Sequence, residues 1–251
     1  MPLAHRIIPT FLVKDGNLVK GKRFAGDRVV GHALQAIMIQ AARGVDEMVL
    51  LDIGATARGK GPNLELVGKL TDRLFSPLAV GGGIYSVEDV RAVLREGADK
   101  VVLGSLAVES PRLMYQIARV VGNQAIVASL DVRAGIVFSR NGKVASTVIP
   151  SPHPPTMAAM LQDHGAGEIL LQSIDRDGMM CGYDLDLIAD VRQAVTLPIV
   201  ASGGCGTYEH MLEALDAGAS AVAAGAMFLF TDQTPAGAAR YLAEHGVEVR
   251  L

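Results

Sequence analysis

The chain has 251 residues, half of them apolar but only 4% aromatic, with 28 Gly and no Trp; that size and make-up suit one α/β barrel or two small domains. A net charge of −3 gives no reason to expect nucleic acid or an anionic membrane as partner. Two cysteines, Cys181 and Cys205, are too few and too isolated for a disulfide framework or a zinc site, and no metal or organic cofactor is called for.

The opening Met1-Pro2-Leu3-Ala4-His5-Arg6 lacks the apolar core of a signal peptide, and no apolar run is long enough to span a bilayer. A reducing cytoplasm is the expected setting. Short apolar runs bounded by Gly, Asp or Ser then alternate with amphipathic segments. In chain order the runs predict strands over 6–12, 47–53, 78–81, 100–104, 125–131, 168–173, 199–202 and 221–225. Helical periodicity falls between them near 31–43, 63–74, 86–97, 110–121, 153–165, 184–195, 207–218 and 234–246. Ser86 with Asp89 has capping-box spacing, and Gly97, Gly165 and Gly218 stand where helices should stop. Eight βα units without a linker predict a (β/α)8 barrel spanning 1–251 as one domain. A doubly wound open sheet is the competing architecture.

A repeat argues for the barrel. The stretch from Val80 to Ser105 aligns without a gap on that from Ala201 to Ala226, at an offset of 121 residues. Glu88/Glu209, Leu94/Leu215, Gly97/Gly218, Val101/Val222 and Gly104/Gly225 are identical pairs, and the offset reaches back to Glu47/Glu168. Half the chain is too long for a solenoid unit, whose periods run roughly 20–50 residues. The repeat implies two half-barrels, about 1–122 and 123–251, which close naturally into a ring.

Chemistry in such a barrel belongs at the C-terminal ends of the strands. Gly82-Gly83 follows the third predicted strand and Gly203-Gly204 the seventh; Gly104-Ser105 and Gly225-Ala226 follow the fourth and eighth. Such turns aim backbone N–H groups and a helix start at an anion, and Ser105 and Ser202 add hydroxyl donors. Glycines that merely supply positive φ are the plain alternative. Two symmetry-related copies favour a ligand with a phosphate at each end. Among the carboxylates, Asp131 at the end of the fifth strand is the leading candidate acid or base. Asp52 ends the second strand and is either a ligand contact or a loop-ordering Asp. Ser173, Asp175, Asp177 and Gly178 suit positioning. Lys20, in the long loop 15–31, suits ligand contact or lid duty.

Arg6-Ile7-Ile8-Pro9, Val13-Lys14-Asp15-Gly16, Leu51-Asp52-Ile53, Val80-Gly81-Gly82-Gly83-Ile84, Asp175-Arg176-Asp177-Gly178 and Gly182-Tyr183-Asp184-Leu185, with the ending Gly246-Val247-Glu248-Val249-Arg250-Leu251, resemble the cyclase subunit of imidazole glycerol phosphate synthase. The resemblance runs along nearly the whole chain. It implies a two-halved barrel that binds a bisphosphorylated ribonucleotide at its mouth. Ammonia would arrive from a class I glutaminase docked at the other face. It also implies two catalytic aspartates, one on the first strand and one on the fifth. The fifth-strand position matches Asp131; the first-strand position is Leu12, which cannot transfer a proton. Gly104 stands where the family carries an Asn on the first phosphate.

At the opposite end, Arg6, Glu47, Lys100 and Glu168 each start a predicted strand, so two positive and two negative side chains meet near the axis. Alone they suggest a structural ion-pair ring; the resemblance implies a gate for ammonia, with Asp99 and Gln124 on the glutaminase-contacting edge. An intact entrance beneath an altered mouth is similar to the paralogues that pass ammonia to an ATP-dependent sugar amidotransferase in surface-polysaccharide synthesis. A true histidine-pathway cyclase is the alternative, and a sugar-phosphate isomerase of the related two-halved barrels is a second.

Overall fold

The structure is a computed structural model that describes residues 4–145 and 153–250. The first three residues of the opening segment and the final Leu251 of the resemblance lie outside the described residues.

Eight parallel strands form the barrel: β1 (Arg6–Lys14), β2 (Met48–Asp52), β3 (Leu78–Gly81), β4 (Lys100–Leu103), β5 (Ile126–Arg133), β6 (Glu168–Ser173), β7 (Ile199–Ser202) and β8 (Ala221–Ala224). Each pairs with the next in sequence, and β8 returns to β1 through Arg6↔Ala221 to Pro9↔Ala224, which closes the sheet. The open doubly wound sheet is thereby excluded. Among the described residues no helix is long and apolar enough to cross a membrane.

Strand parity decides what each side chain faces, because successive Cβ atoms point to opposite sides of a sheet. On β1, Ile7, Phe11 and Val13 point outward into the layer shared with the helices, while Ile8 joins Val49, Ala79, Val102, Val127, Leu170, Val200, Ala221 and Ala223 inside the barrel. The interior is a packed apolar plug of mostly branched and small side chains, as a barrel of eight strands requires.

The expected strands and helices are present, with ends shifted by at most three residues and the strands over 78–81, 168–173 and 199–202 unshifted. The capping box is formed: Asp89 N–H donates to Ser86 Oγ at 3.1 Å, and Ser86 N–H to the Asp89 carboxylate at 3.0 Å. Its second-half counterpart is Thr207, 121 residues on, which accepts from His210 N–H at 3.4 Å. Asn63 and Asp184 share that offset, and each caps its helix, accepting from Leu66 N–H and Leu187 N–H.

The segment 15–31 is not the loop that was expected. The strands Asn17–Lys22 and Ala25–His32 extend β1 into an antiparallel hairpin over the mouth. Its tight turn, Asp15-Gly16, has φ of 50° and 77°, the all-positive pattern that hairpins favour. A second hairpin extends β5 through Ala134-Gly135, with φ of 48° and 74°, into Ile136–Ser139.

Candidate functional site

The C-terminal ends of the strands enclose a cavity of about 380 Å³. Leu12, Lys20, Asp52, Gly82, Gly83, Gly104, Ser105, Asp131, Asp177, Gly178, Ser202, Gly203, Gly204, Gly225 and Ala226 all line it. Ser173 does not. Parity turns it outward, where its hydroxyl bonds the Asp184 carboxylate at 3.2 Å, and its neighbour Gln172 faces the cavity instead. Asn141 and Lys143, from beyond the second hairpin turn, also line the mouth and carry no motif.

Asp131 projects from β5 with Ser129 Oγ 3.2 Å from its Oδ1. Burial pushes its pKa up to about 7; the Ser129 hydrogen bond opposes that rise and the negative charge of Asp177 adds to it. A carboxyl poised near neutrality can both take and give a proton at working pH.

Two other carboxylates are committed to protein partners. Asp177 is paired with Lys20 Nζ at 2.6 Å, both side chains buried, which locks the first hairpin to the loop after β6. Gly178 continues that contact, since a Cβ there would overlap the Gly21 carbonyl oxygen. Asp52 accepts from the N–H groups of Gly54 and Ala55, each at 3.0 Å, and from the Arg58 guanidinium at 2.9 and 3.1 Å. These bonds tie the Asp52 side chain to its own loop. Asp175 accepts from Ala134 N–H at 2.8 Å and so positions the second hairpin. Ser105 Oγ accepts from Arg140 N–H at 2.9 Å. Cys205 is buried, which pushes its thiol up to about 12 and leaves it unreactive.

The glycine turns repeat in detail. Gly82 and Gly203 have φ of 105° and 91°, and a Cβ on either would overlap a strand-end carbonyl oxygen, of Asp52 and Ser173 respectively. Gly83 and Gly204 press in the same way on the carbonyls of Lys60 and Gly182. Only glycine permits both the positive φ and the close approach. Gly104 differs: its φ is −95°, and its nearest neighbour to an added Cβ would be Ser129 Cβ at 3.8 Å.

At the opposite end the four charges meet. Arg6 bonds Glu47 at 2.5 Å and Glu168; Lys100 bonds the same two carboxylates at 2.8 and 3.0 Å. Burial acts to lower the Arg6 pKa, but the hydrogen bonds and charges of Glu168 and Glu47 together outweigh it and raise the pKa above its ordinary value. Asp99, exposed on the same face, accepts from Leu78 N–H at 2.9 Å, and Gln124 is exposed beside it. Among the described residues no group of three or more His, Cys, Asp or Glu side chains could hold a metal ion.

Residues 6–234 match the family described as histidine biosynthesis protein. The chain belongs to that family. It is 41% identical over 253 residues to imidazole glycerol phosphate synthase subunit HisF of Thermotoga sp. (strain RQ2), covering 99% of this chain and 98% of the relative. It is 42% identical to the subunit of the same name from Hyphomonas neptunium (strain ATCC 15444), covering 99% of each chain. At the mouth of this barrel Leu12 of β1 and Asp131 of β5 both line the cavity.

Proposed function

We propose that this barrel takes ammonia from a docked class I glutaminase, admits it through the Arg6–Glu47–Lys100–Glu168 ring, and delivers it to a mouth that holds a phosphorylated ligand but has lost half of its proton-transfer machinery. The observation that carries this reading is Leu12, which lines the mouth on β1 as Asp131 does on β5. A cyclisation that needs a general acid and a general base is left with one carboxyl, and losing one such group typically costs about 10²–10⁴ in rate.

The remaining parts suit transfer. Ammonia is small and neutral, and the apolar plug of Ile8, Val49, Val102, Val127, Leu170 and Val200 offers it no competing charge between ring and mouth. The ring presents a door of balanced charge on the face where Asp99 and Gln124 are exposed, which is where the glutaminase docks. At the mouth, the turns Gly82-Gly83 and Gly203-Gly204, which line the cavity, hold one phosphate each through their backbone N–H groups. Asp131 keeps a pKa suited to single proton transfers, and the Lys20–Asp177 pair holds the hairpin over the ligand. The final acceptor is a sugar amidated by an ATP-dependent amidotransferase, to which the barrel relays ammonia, and the protein works in the cytoplasm.

A genuine cyclase of histidine biosynthesis is the second reading. Identity of 40–42% along the whole chain to synthase subunits favours it, as does the intact Asp131. Assaying the purified barrel with ammonium salt and the bisphosphorylated ribonucleotide separates the two. Turnover below about 0.1 s⁻¹ supports the transfer subunit, and turnover in the ordinary enzymatic range of roughly 1–10³ s⁻¹ refutes it.

A further inference from the structure

Arg58 ties three parts of the mouth together. Its guanidinium grips both oxygens of Asp52 at 2.9 and 3.1 Å, and its other terminal nitrogen bonds Asp15 at the turn of the first hairpin at 2.8 Å. Gly54 makes room for it, since a Cβ there would overlap the guanidinium. The loop that Arg58 closes is the one on which the first glycine turn rests: Gly82 packs on the Asp52 carbonyl and Gly83 on the Lys60 carbonyl. Tyr85, two residues beyond the turn, bonds back to Thr56 of that loop at 3.5 Å.

The second half of the barrel is built without this device. The position equivalent to Asp52 at the offset of 121 is Ser173, held by a neutral hydroxyl bond to Asp184 at 3.2 Å. In the second half Arg176 packs on Gly204 and donates to the Gly182 carbonyl at 3.4 Å, so the two glycine turns share a geometry but rest on different supports, the first on an arginine that bridges two carboxylates and the second on an arginine that bonds a backbone carbonyl.

We infer that Arg58 is the positioning residue of the first-half phosphate site: by bridging Asp52 and Asp15 it holds loop 53–62 against Gly82-Gly83, and so holds the turn's N–H groups in the geometry that grips an anion. A planar guanidinium whose two terminal nitrogens reach two different carboxylates fixes their relative position as well as supplying charge, which a single ammonium does not. This rests on the reading that both turns bind phosphate, and the equivalent turn in the same molecule supplies an internal control.

The test is a titration of the full chain with inorganic phosphate, following the backbone amide resonances of Gly82-Gly83 and Gly203-Gly204 separately. Wild type should shift both sets. Arg58→Ala should weaken binding at Gly82-Gly83 about tenfold, the worth of one charged hydrogen-bond pair, and leave Gly203-Gly204 within about twofold. Arg58→Lys, which keeps the charge but has one nitrogen where two bridge Asp52 and Asp15, should fall between wild type and Arg58→Ala and carries the test if the alanine variant does not fold. Unchanged affinity at the first turn overturns the assignment, as does equal weakening at both turns, which marks a general loss of structure. Wild-type protein that shifts neither set removes the phosphate reading itself, and the role of Arg58 with it.

Discussion

Leu12 and Asp131 occupy the same station in the two halves of the barrel. Leu12 pairs with Val19 across the first hairpin, and Asp131 pairs with Phe138 across the second; both pairs are 119 residues apart. The turns Asp15-Gly16 and Ala134-Gly135 keep the same spacing and nearly the same φ. Two residues below each station stands a hydroxyl, Thr10 on β1 and Ser129 on β5. Ser129 bonds Asp131, whereas Thr10 Oγ1 is a buried side-chain oxygen with no partner among the described residues. The first half keeps the hydroxyl of a hydroxyl–carboxyl pair and has lost the carboxyl.

Leu12→Asp should therefore meet a ready hydrogen-bond partner in Thr10. Ammonium-dependent cyclase turnover is expected to rise by about 10²-fold or more over wild type. In a Thr10→Val background the gain should shrink, as the introduced carboxyl loses its support. A steady-state assay of the two variants checks both statements, and an equal gain in both backgrounds would show that Thr10 plays no part.

Asp131 has a folded-state pKa near 7, above its unfolded value, because burial disfavours the charged form. A raised carboxyl pKa means that the folded state holds its proton more tightly. Its contribution to stability is then full below about pH 4 and is lost as pH rises through about 7. Asp131→Asn removes that loss. Its Tm relative to wild type should climb between pH 4 and 7 and level off above, which thermal melts across that range would reveal.

The ion-pair ring is balanced, two charges of each sign. Lys100→Ala leaves Glu47 and Glu168 sharing Arg6 alone and should lower stability by about 2 kcal/mol, below the cost of breaking a fully buried pair because Lys100 is partly exposed. The barrel should remain folded by circular dichroism. With the glutaminase bound, the ratio of glutamine-driven to ammonium-driven activity should change; if it does not, the ring is structural only.

Glycine positions at the mouth should split into two classes. Gly204→Ala forces a Cβ onto the Gly182 carbonyl at φ of 108°, and should cost on the order of 2–3 kcal/mol. Gly104→Asn adds a Cβ that meets only Ser129 Cβ, at an ordinary contact distance of 3.8 Å and without a positive φ, and should cost no more than about 1 kcal/mol. Chemical denaturation of the two variants distinguishes these outcomes.

The repeat and the strand-end motifs made the barrel legible, because period-two apolar runs and helix stops are local signals. Side-chain facing was harder. Ser173 was placed in the mouth because it ends a strand, but the alternation that puts Glu168 and Leu170 inside puts Gln172 there too, and Ser173 outside. Counting parity from Glu168 would have found Gln172. Asp52 looked available because its partner Arg58 comes from a loop without periodicity. The first hairpin was missed since 17–32 is rich in Lys, Arg and Gly, although Asp15-Gly16 is itself a hairpin signal. Nothing in the local sequence marks Thr10 as unpartnered; that emerges only when both halves are folded.

Growth is the most direct test of the proposal that Leu12 has taken the barrel out of cyclase chemistry. Expressed in a histidine auxotroph lacking only the cyclase subunit, the wild-type chain should fail to support growth on minimal medium, and Leu12→Asp should restore at least slow growth. Normal growth with the wild-type chain would contradict it and make this protein a working cyclase.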